Sequence, residues 1–366
     1  MTILSRLIYK EIFFPLIFSF IVLSAILLLG RLLPLTGLLL RSGIGFSQVL
    51  HFILVLVPTF LLFVLPLSGL LGTSLAMVRL NKDNELIAIF AAGISPKKIF
   101  TPVFVVGVCI WILTFITGAF LLPKAKTVAH KFIYQISTKT LTRGIPPLTF
   151  VSPIKGLTLF VNVSKAHGRR LKGVFLQDAR NPKAISEIFA RKGEILTSKD
   201  GSCIILSLKD GTLHQIDFSQ DSSNIIKFDS YILKLYVTLP SKGKSRGEMG
   251  LKELIQDAQN PNTSPKQKKR LLIEFNKRLA LPIGALILAM LGAPLGIKFG
   301  RTGISGGVAL SLSAFIIYYI LLVLSENLAE VGMLSPWISL WIPNILFAAL
   351  TWWLWKKIYE NGPLLD

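Results

Sequence analysis

Charged residues are few in this chain. Asp, Glu, Lys and Arg make up 16% of its 366 residues, against 52% hydrophobic ones. That balance excludes an ordinary soluble enzyme, where about a quarter of the residues are charged. Cysteine is almost absent: Cys109 falls in an apolar run and Cys203 in a polar segment. A disulfide between them is not expected, and neither has a His or Cys neighbour at metal-ligand spacing. The four histidines, His51, His130, His167 and His214, are scattered, with no H-E-x-x-H and no paired nucleophile. Gly243-Lys244-Ser245 lacks the upstream glycine of a phosphate-binding loop. No catalytic constellation, cofactor or metal is therefore expected on this chain, and it has no means of its own to hydrolyse ATP.

What the chain does have is long uncharged runs. Six stretches free of Lys, Arg, Asp and Glu begin at Ile12, Ser42, Ile99, Leu279, Thr302 and Val331. Each is roughly 19 residues or longer, enough to cross about 30 Å of hydrocarbon as a helix. The first is too long for a cleavable signal and no A-x-A-like site follows it, so it is expected to stay as an anchor. Pro58 and Pro66 inside the second suggest kinks. The span interiors carry no ionisable group; Arg31 and Arg41 stand at one outer edge, Glu326 and Glu330 at another. This weighs against ion-coupled transport, which needs charges at midplane depth.

Basic residues set an expected orientation. A cytoplasmic N-terminus collects Arg6, Lys10, Arg79, Lys82, Lys97, Lys98, Lys298, Arg301, Lys356 and Lys357 on the inside. Both chain ends then lie in the cytoplasm, and the segment from about Lys124 to Arg278 lies outside. The predicted fold class is a membrane α-helical bundle of six transmembrane helices plus an all-β outer domain. The predicted division is 1–125 for spans one to three, 126–262 for the outer domain and its linker, and 263–366 for spans four to six.

In the outer segment, runs rich in β-branched and aromatic residues recur at Leu157–Ser164, Val174–Gln177, Ile185–Ala190, Ile204–Leu208, Thr212–Phe218 and Ile225–Val237. Turn signals stand at Asn181-Pro182, Asp200-Gly201 and Asp210-Gly211. The pattern predicts a small sandwich or roll without helix, then a polar linker after Leu239 that turns helical near Ser264. From Lys124 to Arg278 there are 28 Lys and Arg against 12 Asp and Glu, a surplus of 16 out of the chain's +21. Such a surface suits anionic headgroups or an anionic cargo as well as simple solubility. Nucleic acid is a poor fit without aromatic–basic interleaving. Between spans two and three, Asn84 to Ala92 has Glu85 at its start and Gly93 at its end, which fits a short capped helix at the membrane surface as well as a solvated loop.

Several segments carry a specific likeness: ILSRLIYKEIFFPLIFSF, RLNKDNELIAIFAAGISPKKIF, GVFLQDARNP, DFSQDSSNIIKFDSYILKL and EFNKRLALPIGALILAMLGAPLGIKFGRTG. Together with the layout of three spans, a domain and three spans, they resemble the lipopolysaccharide-export permease family LptF/LptG. E-x-N-x-R at Glu274–Arg278 and Gly300-Arg301 resemble the LptF branch more. The resemblance implies a homologous second permease, a cytoplasmic ATPase dimer (LptB-like) that holds ATP and Mg, and a periplasmic bridge protein with a single membrane anchor (LptC-like). It implies a β-jelly-roll outer domain, a bacterial inner-membrane location, and lipopolysaccharide entering between the first and fifth spans.

It also implies sites. Arg31 matches a basic cavity residue, where a guanidinium can hold a lipid A phosphate; as a bland alternative it only snorkels to the interface. Lys124, Lys126 and Lys131 are further lipopolysaccharide-binding candidates. Pro34 stands where some relatives carry a second basic residue. Glu85, Leu86, Ile89, Phe90 and Gly93 match the helix that docks into the ATPase groove, with Ile87 as further groove-filling surface. Competing expectations are a mechanotransmitting ABC-type subunit that moves no lipid, which typically has four spans, and a membrane-anchored enzyme or sensor.

Overall fold

The computed structural model describes residues 3–41, 46–143, 147–154, 156–165, 170–181, 184–197, 203–217, 222–236, 244–299 and 303–361. The Asp200-Gly201 turn, Pro182, and Gly300-Arg301 lie outside the described residues, as do the side chains of Pro34 and Arg41. The chain divides into two compact units, Met1–Leu35, Leu50–Val128 and Lys244–Asp366 forming one, Thr36–Val49 and Ala129–Gly243 the other.

The first unit is helical. The helices are α1 (Ile3–Arg41), α2 (Phe46–Lys82), α3 (Glu85–Ala91), α4 (Lys97–Ile116), a π-turn at Thr117–Leu121, α5 (Leu122–Arg143), α6 (Leu251–Gln259), α7 (Pro265–Phe299), α8 (Gly303–Val331), α9 (Pro336–Ser339) and α10 (Ile342–Asn361). The end of α1 from Thr36, the start of α2 up to Val49 and the end of α5 from Ala129 fall in the second unit. Among the described residues six helical stretches are long and apolar enough to cross a membrane: Ile3–Arg31, Leu50–Lys82, Lys97–Phe132, Pro265–Phe299, Gly303–Val331 and Pro336–Glu360. Helix α2 runs unbroken through Pro58 and Pro66.

Helix α7 is the axis on which the others pack. Buried residues make up 78% of its apolar window, against 11% for the first span and 22% for α8. Small residues permit this approach: a Cβ on Gly292 would stand 2.1 Å from Thr73 Oγ1 and 2.4 Å from the Leu70 carbonyl oxygen. Polar side chains of neighbouring helices donate to α7 carbonyls, Thr73 to Ala289 (2.8 Å) and Asn344 to Ala280 (2.9 Å). Pro294 has no N–H for the carbonyl of Met290 four residues earlier, and Trp355 Nε1 donates to that carbonyl instead at 3.0 Å.

The second unit carries one six-stranded antiparallel sheet: β1 (Thr149–Ile154), β2 (Leu157–Lys165), β3 (Arg170–Asn181), β4 (Ala184–Thr197), β5 (Cys203–Asp217) and β6 (Ser222–Tyr236). Each strand pairs with its sequence neighbour, so the topology is a meander. The register skips one pair in every interior ladder, along the line Asn162, Gly173, Arg191, Asp210 and Asp229. Gly173 and Asp210 on that line have φ of 62° and 56°, the left-handed region that glycine and aspartate tolerate best.

Burial changes phase there. Val174, Leu176, Ile188 and Ala190 are buried on one side of the line, Leu171, Ile195, Leu206 and Leu208 on the other, with opposite odd–even parity along β3 and along β4. All eight belong to one apolar core. The sheet thus rolls over a single core, in keeping with the expected jelly-roll-like β domain. Three readings of this stretch need correction. Asp210-Gly211 is not a turn between two strands but a bend inside the continuous β5. Strand β1 was not anticipated. The supposed linker contains helix α6, capped where Gly250 N–H donates to Glu253 at 2.9 Å and seated by buried Leu254 and Ala258.

Candidate functional site

Helix α3 is built as a separate small element. Asn84, at φ 58°, breaks the chain out of α2 and starts α3 one residue later. At the far end Ile94 N–H donates to the Ile89 carbonyl (3.3 Å) and Gly93 N–H to the Phe90 carbonyl (3.0 Å). With Gly93 at φ 73° this is a Schellman cap. Open space surrounds the position of a Cβ on Gly93, so backbone conformation alone demands glycine there.

One face of α3 turns inward. Leu86 is fully buried among Ile8, Met77, Leu80, Ile99, Ile297 and Ile358, and Ile89 and Phe90 pack partly against the same cluster. Burying a leucine this way contributes about 1.5–3 kcal/mol. Leu86 therefore does not offer a contact surface to another protein, as the sequence reading had it; it fastens α3 to the spans. The opposite face presents Glu85, Ile87, Ala88 and Ala91 to the surroundings. The neighbouring end of α2 is pinned by Arg79 to Glu11 of α1 at 2.9 Å and by Asn81 Nδ2 to the Ile297 carbonyl at 2.9 Å. Movement of α3 is thereby tied to α1, α2, α4, α7 and α10 together.

The start of α7 gathers cations. Arg278 is almost completely buried, and all its bonds are to fixed acceptors. Nε and Nη2 donate to Glu274 Oε1 (3.0 and 2.8 Å), Nη1 to the Met249 carbonyl (2.6 Å), and Nη2 to the carbonyls of Arg246 and Gly247 (3.1 Å each). The segment before α6 is thus laced onto α7. Lys277 pairs with Glu326 of α8 at 2.7 Å, and Glu330 lies 3.6 Å from Arg246 and 3.7 Å from Arg270. A cavity of about 450 Å³ here is lined by Lys266, Lys269 and Arg270 against the single carboxylate of Glu330.

Of the cationic candidates, Arg31 is exposed at the end of the first candidate span. Lys124 is exposed on α5, whereas Lys126 turns its amine toward the loop, where a Cβ on Gly247 would stand 2.7 Å from it. Lys131 is exposed in the second unit. Arg278 is a structural residue of this site that sequence alone marks only through Glu274 four residues earlier; its three carbonyl partners lie far from it in the chain.

The most open apolar faces belong to α1 and α8. Phe13, Phe14 and Phe18 on α1, and Ile316, Ile317 and Ile320 on α8, are all exposed. On the β unit, a basin of about 860 Å³ lies along the skipped line, lined by Phe160, Phe175 and Phe189 with Arg191 and Lys227 beside them. Phe175 and Phe189 meet across adjacent strands with ring centres 4.9 Å apart and planes tilted by 46°. In the same unit Arg180 Nε donates to Asp178 at 2.8 Å and holds that carboxyl below the usual aspartate range.

Comparison with known proteins gives a consistent answer. Residues 6–357 match the family described as lipopolysaccharide export system permease LptF/LptG. The lipopolysaccharide export system permease protein LptF of Escherichia coli strain K12 is 22% identical over 336 residues, covering 90% of this chain and 88% of that protein. LptF of Shigella flexneri matches with the same identity and coverage.

Proposed function

This chain belongs to the LptF/LptG family of lipopolysaccharide export system permeases, and from that premise we propose that it is a membrane subunit of an ATP-driven lipopolysaccharide exporter. It supplies the path and a partner supplies the energy. Its complex contains a homologous second permease, a cytoplasmic ATPase dimer that holds ATP and Mg, and a singly anchored periplasmic bridge protein. Both termini and α3 face the cytoplasm of a bacterial inner membrane, and the β unit faces the periplasm.

The observation that carries this reading is the construction of α3. An element that must pass force between a soluble engine and a membrane bundle needs a rigid inner contact and an open outer one. Buried Leu86 provides the first; Glu85 and Ile87 provide the second. The Glu85 carboxylate is placed to pair with an arginine of the ATPase, and the Schellman cap at Gly93 keeps the helix short enough to enter a groove.

The exposed apolar faces of α1 and α8 suit the acyl chains of a large amphiphile, and they are the spans between which cargo enters. Lipid A carries phosphates, so cations at the outer rim are required. Arg31 and Lys124, both exposed, are the proposed first contacts, with the cluster of Lys266, Lys269 and Arg270 beside the end of α8 as a further cationic surface. Lys126 is a further candidate of the same kind with less reach, and Lys131 is a separate candidate on the second unit.

The test has two arms. Glu85→Ala purified with its complex should lose ATPase subunits and transport together; full ATPase recovery with full transport refutes the coupling role. A photo-crosslinker at position 31 should capture lipopolysaccharide in membranes; capture of phospholipid alone refutes the cargo path.

A further inference from the structure

The end of the bundle that holds α3 also holds lysines seated on aromatic rings. Lys298, in the last turn of α7, lies 5.7 Å from the ring centre of Trp353 on α10 and 5.7 Å from Phe299. Lys357 reaches the same Trp353 ring at 5.6 Å, and Lys356 lies 5.6 Å from Trp352. Lys97, at the start of α4, lies 5.8 Å from Tyr359. Three helices thus deliver four ammonium groups to the aromatic rings at the end of α10. Among the described residues the one carboxylate within ion-pair reach of any of them is Glu360, 3.8 Å from Lys356.

Two of these cations come from different helices onto one indole, so they repel each other with no acid between them. The rings are not sheltered either: Trp352 is 67% and Trp353 49% exposed. Tryptophan at the end of a span sits at headgroup depth, and a lysine whose stem runs along the ring places its ammonium at the same level. The surface continues down α10. Leu346, Leu350, Trp353 and Lys357 follow one another at four-, three- and four-residue spacing, one face of a helix, and the first three are exposed. An apolar strip ending in a pair of unbalanced cations has the shape of a single amphiphile, tails along Leu346 and Leu350, negative headgroup at the lysines.

We infer that the α7–α10 end binds an anionic phospholipid of the leaflet next to α3, its phosphate held between Lys298 and Lys357 with Lys356 and Lys97 at the margins. A zwitterionic lipid offers the same phosphate but carries its own ammonium, which the lysines repel. The acidic face of a protein would match the charges but leaves Leu346 and Leu350 unused. This inference rests on the helices spanning a membrane and is independent of the cargo and of the ATPase.

The experiment uses the full chain in neutral detergent, titrated with phosphatidylglycerol or phosphatidylcholine of equal chain length and read by native mass spectrometry. Phosphatidylglycerol should bind more tightly, and the preference should shrink as salt rises. Each lysine near an anionic headgroup is worth about fivefold in affinity. Lys298→Gln with Lys357→Gln should therefore weaken phosphatidylglycerol binding by about 25-fold and leave phosphatidylcholine unchanged, and the double Arg variant should restore it. Glycerol phosphate without acyl chains should bind at least a hundredfold more weakly than the lipid. Equal binding of the two lipids by the unaltered chain overturns the inference, whatever the variants do. So does a double Gln variant that keeps its phosphatidylglycerol affinity, or glycerol phosphate binding as well as the lipid.

Discussion

Replacing Arg278 by alanine tests the lacing of the α6 segment onto α7. The guanidinium is 2% exposed and makes five donor contacts, two to Glu274 and three to the backbone of residues 246–249. Breaking a buried charged pair from one side costs about 3–5 kcal/mol. Glu274 keeps 17% exposure, so water re-solvates part of its charge and the cost falls at the low end, about 3 kcal/mol. Helix α6 has few other anchors, mainly Leu254 and Ala258 against Leu271. The loss is therefore expected as local opening. About 3 kcal/mol raises the open population by roughly two orders of magnitude. Hydrogen exchange at 251–259, in the detergent-solubilised chain, should accelerate about a hundredfold while α10 keeps its protection. Glu274→Gln in the same background should show coupling of about 1–3 kcal/mol with Arg278→Ala. Exchange at 251–259 within threefold of the parent, or equal acceleration in α10, refutes the reasoning.

Gly292→Ala places a methyl against Thr73 and the Leu70 carbonyl of α2; overpacking of this kind costs about 1–3 kcal/mol, read as a lower thermal midpoint in detergent. Leu86→Ala opens a cavity under α3 and should cost about 2–5 kcal/mol. It should loosen exchange protection at 85–91 and, on the proposed coupling, reduce ATPase recovery even though Glu85 is untouched. Unchanged protection at 85–91 removes the fastening role, and full ATPase recovery with loosened 85–91 removes the need for a fastened α3 in coupling. In the β unit, a carboxyl whose folded value is depressed adds stability above its unfolded value and loses it as pH falls through the folded one. The Asp178–Arg180 pair should therefore lose its contribution below about pH 4. Because Arg180 is 41% exposed, that contribution is under about 1 kcal/mol. Arg180→Ala should flatten the acid limb of a stability–pH curve, and an unchanged limb counts against the pair.

The spans were legible because a charge-free run of membrane length has few other uses, and the strands because β-branched residues recur between turns. Misreadings occurred where one local signal serves two geometries. An Asp-Gly pair with a left-handed residue makes a hairpin turn or a mid-strand bend, and only the neighbouring strands decide which. Helix α6 does carry a helical pattern, with Leu251, Leu254, Ile255 and Ala258 on one face, but it spans only nine residues inside a polar stretch and is easily passed over as linker. In α3 the motif residues were readable, but a seven-residue helix cannot say which side faces its own protein; that depends on Ile8, Ile297 and Ile358, far away in sequence. The same distance hid the role of Arg278, whose carbonyl partners lie 29 to 32 residues upstream.

The skipped line from Asn162 to Asp229 has an evolutionary corollary. Losing a single residue from β4 beside Arg191 would exchange inner for outer side chains along the remainder of that strand and misalign it with both neighbours. Viable length changes in this unit are thereby channelled into the connections between strands, while the five crossing strands are obliged to keep their residue counts in step.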